Sequence, residues 1–205
     1  MMINNNKRRS FSPYLAVLLL SLLLYGCAGS VKNMRPMPPD RIVSAPEEGK
    51  SMVVFMRPSG MGFAVQSSVF EINEENPSLV GIVAAKKKVS YQLEPGKHLF
   101  MVIGESADFM SAELEANKTY YALVTLRMGV WKARFSLKPI HSDALNSPQF
   151  NKWLAGCEWV EKTPDSENWA NSNSSNIQSK YNKYYSKWMS KDLPERPKLL
   201  PQDGK

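Results

Sequence analysis

The stretch Met52-Val53-Val54-Phe55-Met56, closed by Arg57-Pro58-Ser59-Gly60-Met61-Gly62, sets the character of the middle of the chain. Five consecutive apolar residues, two of them β-branched, are typical of a short buried strand when turn residues follow at once. Proline and glycine cannot continue a ladder of hydrogen bonds, so the strand ends before the Pro58–Gly62 segment. This part of the chain is therefore expected to be β-structure.

Similar runs follow, at residues 63–72, 79–83, 89–93, 98–103, 110–114, 119–126 and 130–137. Between two of them, Glu94-Pro95-Gly96-Lys97 has proline and glycine at the central positions of a type II turn. Seven or eight strands at roughly 8–12-residue spacing favour an antiparallel sandwich or a small barrel. We predict a mainly β protein with an antiparallel seven- to eight-stranded sandwich over residues 51–140. Parallel pairing is not expected, because its crossovers need long connections.

The chain after Pro139 has helical signals. Ser147-Pro148 is an N-cap followed by proline at the first helical position, and Gly156 ends the predicted helix. A short strand over 157–161 and a longer helix over 166–189 follow. We therefore predict a C-terminal helical appendage at 141–192 and an extended, mobile tail at 193–205, where three prolines recur.

The longer predicted helix carries an aromatic stripe with lysines beside it. Two interpretations are open: the stripe packs on the sheet, or it binds a partner or a membrane surface. Aromatic and basic residues together suit an interface that is exposed to water on one side. Under the second, the candidate partner-binding residues are Tyr181, Tyr184, Tyr185 and Trp188.

The N-terminal segment has the features of an export signal. Lys7-Arg8-Arg9 precedes an apolar core, and the core is too short to span a bilayer. Leu24-Tyr25-Gly26-Cys27 resembles the lipobox of bacterial lipoproteins, although Tyr25 stands where that family usually has a small or β-branched residue. The resemblance implies a signal peptide at 1–26 and palmitate-type lipidation of Cys27. The alternative is an ordinary secretory signal with a chance cysteine.

Residues 27–50 contain Pro36, Pro38, Pro39 and Pro46 and few large apolar residues, so they predict a tether that stands the domain off the membrane. Ala28 and Gly29 replace the aspartate of an inner-membrane retention signal, which favours the periplasmic side of the outer membrane. Removal of residues 1–26, with their three positive charges, lowers the net charge from +7 to +4. Nucleic acid is not an expected partner.

A second resemblance covers residues 51–139. Val53-Val54-Phe55-Met56-Arg57-Pro58-Ser59, then Glu94-Pro95-Gly96-Lys97-His98, then Leu114-Glu115-Ala116-Asn117-Lys118-Thr119-Tyr120-Tyr121 are similar, in order and spacing, to motifs of a family of bacterial lipoproteins with a small β-domain of unknown function. Asn117 stands where that family usually has glycine. The resemblance implies an exported, anchored β-domain with no assigned chemistry.

Candidate catalytic groups are few. His98 and His141 lack a neighbour at zinc-ligand spacing, and no cofactor motif occurs. Cys157 is expected to be a buried apolar residue, or else to form an intermolecular bridge or to pair with His141 in a thiol- or histidine-dependent enzyme. Lys86-Lys87-Lys88 could contact anionic lipid or polysaccharide, but a solvated loop or strand end is the expected interpretation. The favoured function is a non-catalytic binding or envelope-structural module, with an envelope protein or a glycan as partner.

Overall fold

The computed structural model describes residues 33–42, 44–128 and 133–205, which belong to one compact unit. Within them are two β-sheets and three α-helices, and all three helices come after the first nine strands along the chain. The strands are β1 (Met34–Pro36), β2 (Ser51–Arg57), β3 (Ser67–Asn73), β4 (Asn76–Val83), β5 (Lys87–Leu93), β6 (Gly96–Ile103), β7 (Ala107–Leu114), β8 (Thr119–Met128), β9 (Ala133–Pro139), β10 (Glu158–Lys162) and β11 (Lys198–Leu199). The helices are α1 (Pro148–Ala155), α2 (Pro164–Ser172) and α3 (Ser174–Met189).

The prediction of a mainly β protein is confirmed, but a purely antiparallel arrangement is wrong. The larger sheet has the order β1-β10-β5-β2-β8-β9 and the smaller sheet the order β11-β7-β6-β3-β4. Three pairs are parallel: β2 with β8, β5 with β10, and β7 with β11. The connection from β2 to β8 contains strands β3 to β7, which supplies the crossover length that a parallel pair requires.

Strand β2 is buried along its whole length because the larger sheet is covered on both faces. Its alternate residues Val53 and Phe55 belong to the main core, which contains residues of both sheets. Met52, Val54 and Met56 belong instead to a second apolar cluster, with Tyr121 and with Phe150 of α1. The unbroken apolar run that predicted a buried strand thus fills two separate apolar layers.

The sheets include residues from outside the predicted 51–140 domain. Strand β1, in the predicted tether, pairs with β10, which lies in the predicted appendage. Strand β11 pairs with β7, and Leu199 is fully buried. The expectation of an extended, mobile tail at 193–205 therefore needs correction. The buried side chain of Leu199 and the pairing of β11 with β7 hold this segment against the smaller sheet.

Several local predictions agree with the structure. The Ser147 side chain accepts a hydrogen bond from the Phe150 backbone N–H at 3.1 Å, as expected of the N-cap of α1. Asn117 has a φ of +62°, the left-handed conformation that asparagine tolerates better than most residues. The single helix expected over 166–189 is two helices, since α2 ends at Ser172 and α3 begins at Ser174.

The predicted signal peptide (1–26), the lipidation site Cys27, and residues 130–132 of the last predicted strand lie outside the described residues. In the described part of the chain, every helix is too short or too polar to cross a bilayer.

Candidate functional site

The aromatic face predicted as a partner-binding surface packs on the smaller sheet. Tyr181 and Trp188 are buried, and Tyr184 and Tyr185 are half-buried against the same apolar cluster. Phe109 of β7 lies at the centre, with its ring centroid 6.0 Å from Tyr181, 5.4 Å from Tyr185 and 5.9 Å from Trp188. Of the two interpretations, the structure thus favours packing on the sheet. Most of the stripe is core.

The proposed thiol–histidine pair is not formed. Cys157 is buried in the apolar cluster beneath α1, where burial raises the pKa of its thiol and nearby Lys88 and Lys86 offset only part of that rise. His141 instead places Nδ1 2.9 Å from Oδ2 of Asp203, a buried residue of the C-terminal segment. Each of the two residues therefore has a structural partner of its own.

The lysine run lies at the start of β5, as the strand-end interpretation expects, but two of its three side chains are not solvated. Lys87 is buried and forms an ion pair with Glu158, which joins β5 to β10. Lys88 is also buried, donates to the Leu154 carbonyl at the end of α1, and lies 4.6 Å from the centroid of the Trp159 ring. Lys86 alone is exposed. The run holds the helical segment onto the sheet.

A polar cluster joins the two sheets beside the β5–β6 turn. Glu71 of β3 is buried, and its carboxylate contacts His98 Nδ1 at 2.7 Å and the Tyr91 hydroxyl at 2.6 Å. Asn73 donates to the same carboxylate at 3.2 Å, and His98 Nε2 lies 2.9 Å from the Glu94 carbonyl oxygen. The cluster lines a cleft of about 440 Å³.

The pKa values in this cluster reflect its hydrogen bonds. Burial alone would raise the pKa of Glu71, but hydrogen bonds from His98, Tyr91 and Asn73, and the His98 charge, lower it overall. The pKa of Tyr91 is raised by burial and by its bond to the Glu71 carboxylate. Both oxygens of Glu71 already accept hydrogen bonds from the protein, so the carboxylate is arranged to hold the two sheets together.

Arg57, at the end of β2, is fully buried and has no carboxylate partner among the described residues. Its guanidinium donates to the carbonyls of Val65 at 2.6 Å and of Met61 and Gly62 at 2.8 Å each. It also lies 4.7 Å from the centroid of the Phe135 ring. Burial lowers the pKa of this guanidinium. The arginine therefore fixes the conformation of the segment between β2 and β3.

That segment, residues 58–66, is here named the Arg57 loop. It contains no charged residue, and it exposes three large apolar side chains: 60% of Met61, 79% of Phe63 and 37% of Val65 are accessible. Gly62 has a φ of +66°, and an added Cβ would lie 2.9 Å from Leu126, so a larger residue would disturb the loop. A fixed loop with an apolar tip is typical of a contact surface.

The sequence does not predict this loop in full, because the apolar alternation of residues 63–66 favours the start of a strand. The structure begins β3 at Ser67. A usable signal was present: Met61 and Phe63 alternate with Gly60 and Gly62 shortly after Pro58, a composition typical of a loop.

No family model and no curated protein matches this chain. Among the residues that the structure describes, no group of three or more histidines, cysteines, aspartates or glutamates is arranged to hold a metal ion.

Proposed function

We propose that this protein is an envelope lipoprotein, anchored through Cys27 on the periplasmic side of the outer membrane, that acts as a non-catalytic binding module. Its partner is an envelope protein, which contacts the Arg57 loop. The observation that carries the proposal is the exposed apolar tip formed by Met61, Phe63 and Val65. Side chains of this kind supply much of the binding energy at protein interfaces.

The buried Arg57 supports this use of the loop. Its three hydrogen bonds keep the loop in one conformation before a partner arrives, so less ordering entropy is lost on binding. Burial of a guanidinium is costly, and the three carbonyl hydrogen bonds and the contact with the Phe135 ring offset part of that cost.

The loop lies at one end of the larger sheet. Arg57 and Glu158 both pair with Lys87, so the loop and the start of β10 share that end. Met34 pairs with Lys162 at the other end of β10, four residues of strand or about 13 Å away. Strand β1 therefore begins at the level of the sheet opposite the loop.

The paired β1 strand also shortens the predicted tether. Seven positions separate Cys27 from Met34, and an extended chain covers at most about 25 Å over that length. A tether over all of 27–50 would reach about 70 Å. Anchored at Cys27, the domain would therefore stay close to the membrane and would reach partners that lie near its surface.

A photo-crosslinking experiment in cells tests the loop. We expect p-benzoylphenylalanine at position 63 to give one discrete protein adduct, while the same probe at the equally exposed Leu193 gives none. The captured partner, purified, should bind the double variant Met61→Ala/Phe63→Ala at least about tenfold more weakly than the wild type. Adducts to lipid or glycan only, or equal binding by the double variant, would overturn the proposal for the loop.

The anchor is tested separately. Cys27→Ser is expected to abolish incorporation of radiolabelled palmitate and to release the protein from the membrane fraction. Retained label would contradict the assignment of Cys27, whatever the result for the loop.

A further inference from the structure

A second feature lies where α3 meets the strands β7, β8 and β9. It is a pocket of about 350 Å³ that brings together four basic side chains, Arg127, Arg134, Lys187 and Lys191, and a single carboxylate, Asp108. The pocket is here named the cationic pocket. Its charged groups sum to +3, from four cations and one anion, which is a large local excess.

The strand residues of the pocket are placed against each other. Arg127 and Arg134 are directly opposite on the antiparallel strands β8 and β9, and both side chains line the pocket. Like charges in this relation destabilise a sheet. The register of the β8–β9 pair therefore imposes a repulsion that an anion between the two guanidinium groups would remove.

The two lysines of the pocket also form a pair of like charges. Lys187 is in the last turn of α3, and Lys191 follows four positions later, just beyond the helix end. Both side chains line the pocket, so their charges repel each other there. Two pairs of cations, one from the sheet and one from the helical segment, thus line the same pocket.

The one carboxylate satisfies only half of these cations. Asp108 is buried and lies 3.3 Å from Arg127 and 3.5 Å from Lys191, longer than the 2.7–2.9 Å usual for a tight charged hydrogen bond. In the described part of the chain, Arg134 and Lys187 have no ion pair or side-chain hydrogen bond. These two exposed donors remain available to a ligand.

Trp188 adds an observation of another kind. It lines the cationic pocket, it is 5% exposed, and its indole Nε1–H is buried with no hydrogen-bond partner among the described residues. Buried donors are nearly always satisfied in folded proteins. An indole nitrogen can only donate, so a residue that lines the pocket has an unused hydrogen-bond donor.

We infer that the cationic pocket binds a phosphate monoester group. Arginine and lysine donate charged hydrogen bonds to phosphate oxygens, and arginine does so in bidentate geometry. A phosphate monoester has close to two negative charges at neutral pH. It therefore compensates more of the +3 charge of the pocket than the single charge of a carboxylate would. The inference does not depend on the Arg57 loop, because the two surfaces share no lining residue.

Titration of the full-length protein tests the pocket directly. Inorganic phosphate and glycerol 3-phosphate, followed by calorimetry, are expected to bind saturably and more tightly than acetate. Arg134→Gln and Lys187→Gln should each weaken phosphate binding at least about tenfold. Lys183→Gln is the matched control, because Lys183 is exposed on the same helix but does not line the pocket. It should change binding by less than about twofold.

Thermal melting separates ligand binding from a structural role. In phosphate-free buffer, Arg134→Gln should melt at or above the wild-type temperature, because it removes the repulsion from Arg127. Phosphate should raise the melting temperature of the wild type and leave that of the variant unchanged. A variant that melts lower without phosphate, no saturable binding, equal affinity for acetate, or an equal effect of Lys183→Gln would each overturn the inference.

Binding to lipid vesicles shows whether the phosphate group belongs to a soluble molecule or to a lipid. Binding to both soluble phosphates assigns a soluble ligand. Binding only to phosphatidylcholine vesicles that contain phosphatidic acid, again lost in Arg134→Gln, assigns a lipid headgroup with the same chemistry.

Discussion

The aromatic face of α3 and the Arg57 loop are both apolar, but the structure uses them in opposite ways. Tyr181 and Trp188 are about 5% exposed and contact Phe109 of the smaller sheet. Phe63, at the tip of the loop, is 79% exposed. The stripe with helical periodicity is largely core, and the short apolar group without periodicity is the exposed surface.

The two regions differ in whether another element of the fold covers their apolar side chains. A helical stripe needs a neighbour to cover it, and the outer face of the smaller sheet supplies one. A loop fixed by a buried arginine cannot turn its apolar side chains inward, so they stay in solvent. Apolar residues without a covering element are therefore better candidates for a binding site than the most apolar segment of the chain.

The largest effect on the free energy of unfolding is expected where the aromatic face of α3 is buried against the smaller sheet. Phe109→Ala removes a fully buried ring that contacts three aromatic residues of α3, so it should lower the free energy of unfolding by about 4 kcal/mol. Urea unfolding followed by circular dichroism measures it. A loss below about 1 kcal/mol would mean that α3 does not pack on the sheet as described.

A smaller but still large effect is expected for the support of the loop. Arg57→Met removes the donors of three carbonyls, which should cost about 3 kcal/mol and open residues 58–66 to chymotrypsin at Phe63. The rate of cleavage and the urea midpoint are the measurements. Lys152→Met, an exposed control, should change stability by less than about 0.5 kcal/mol. Intact resistance to cleavage in Arg57→Met would show that the loop does not need its arginine.

The cluster around Glu71 extends the comparison to a buried polar region. Its lowered pKa means that the carboxylate stabilises the fold above the usual value of 4.5 and that this contribution is lost as the pH falls below it. The raised pKa of Tyr91 means that the neutral phenol stabilises the fold up to about pH 10, with loss above it.

Glu71→Gln should therefore cost about 2 kcal/mol at pH 7 and flatten the loss of stability on the acid side. Unfolding free energies from pH 3 to pH 8 measure both effects. Glu48→Gln, an exposed carboxyl control, should follow the wild-type curve. If both variants give the same curve, Glu71 is not a link between the sheets.

The smallest effect on stability is expected at the tip of the loop. Phe63→Ala should change the free energy of unfolding by less than about 0.5 kcal/mol, because the ring is mostly exposed in the folded protein. The same urea titration measures this value. Phe63→Ala and Phe109→Ala make the same chemical change at an exposed and at a buried position, so the two losses of stability can be compared directly. A large loss would mean that the loop packs against the domain.

Much of the local structure could be predicted from the residues. The turn at Pro95-Gly96 and the cap at Ser147 depend on neighbours only a few positions apart, and the structure places β5, β6 and α1 around them. The strands from β2 to β8 overlap the predicted runs for the same reason. Residues 63–66 did not follow the pattern, since their alternation resembles that of a strand although they lie in a loop.

The polar cluster around Glu71 and the surfaces proposed as binding sites depend instead on contacts that no local sequence pattern predicts. Glu71 meets His98 from 27 positions away, and Arg57 holds a loop through backbone carbonyls, which no sequence pattern marks. Arg127 faces Arg134 only because of the β8–β9 register. Local chemistry therefore decided the elements and their ends. Their parallel pairing, the covered side of α3 and the meeting of distant charges were decided by tertiary structure, because they arise only when separate elements pack together.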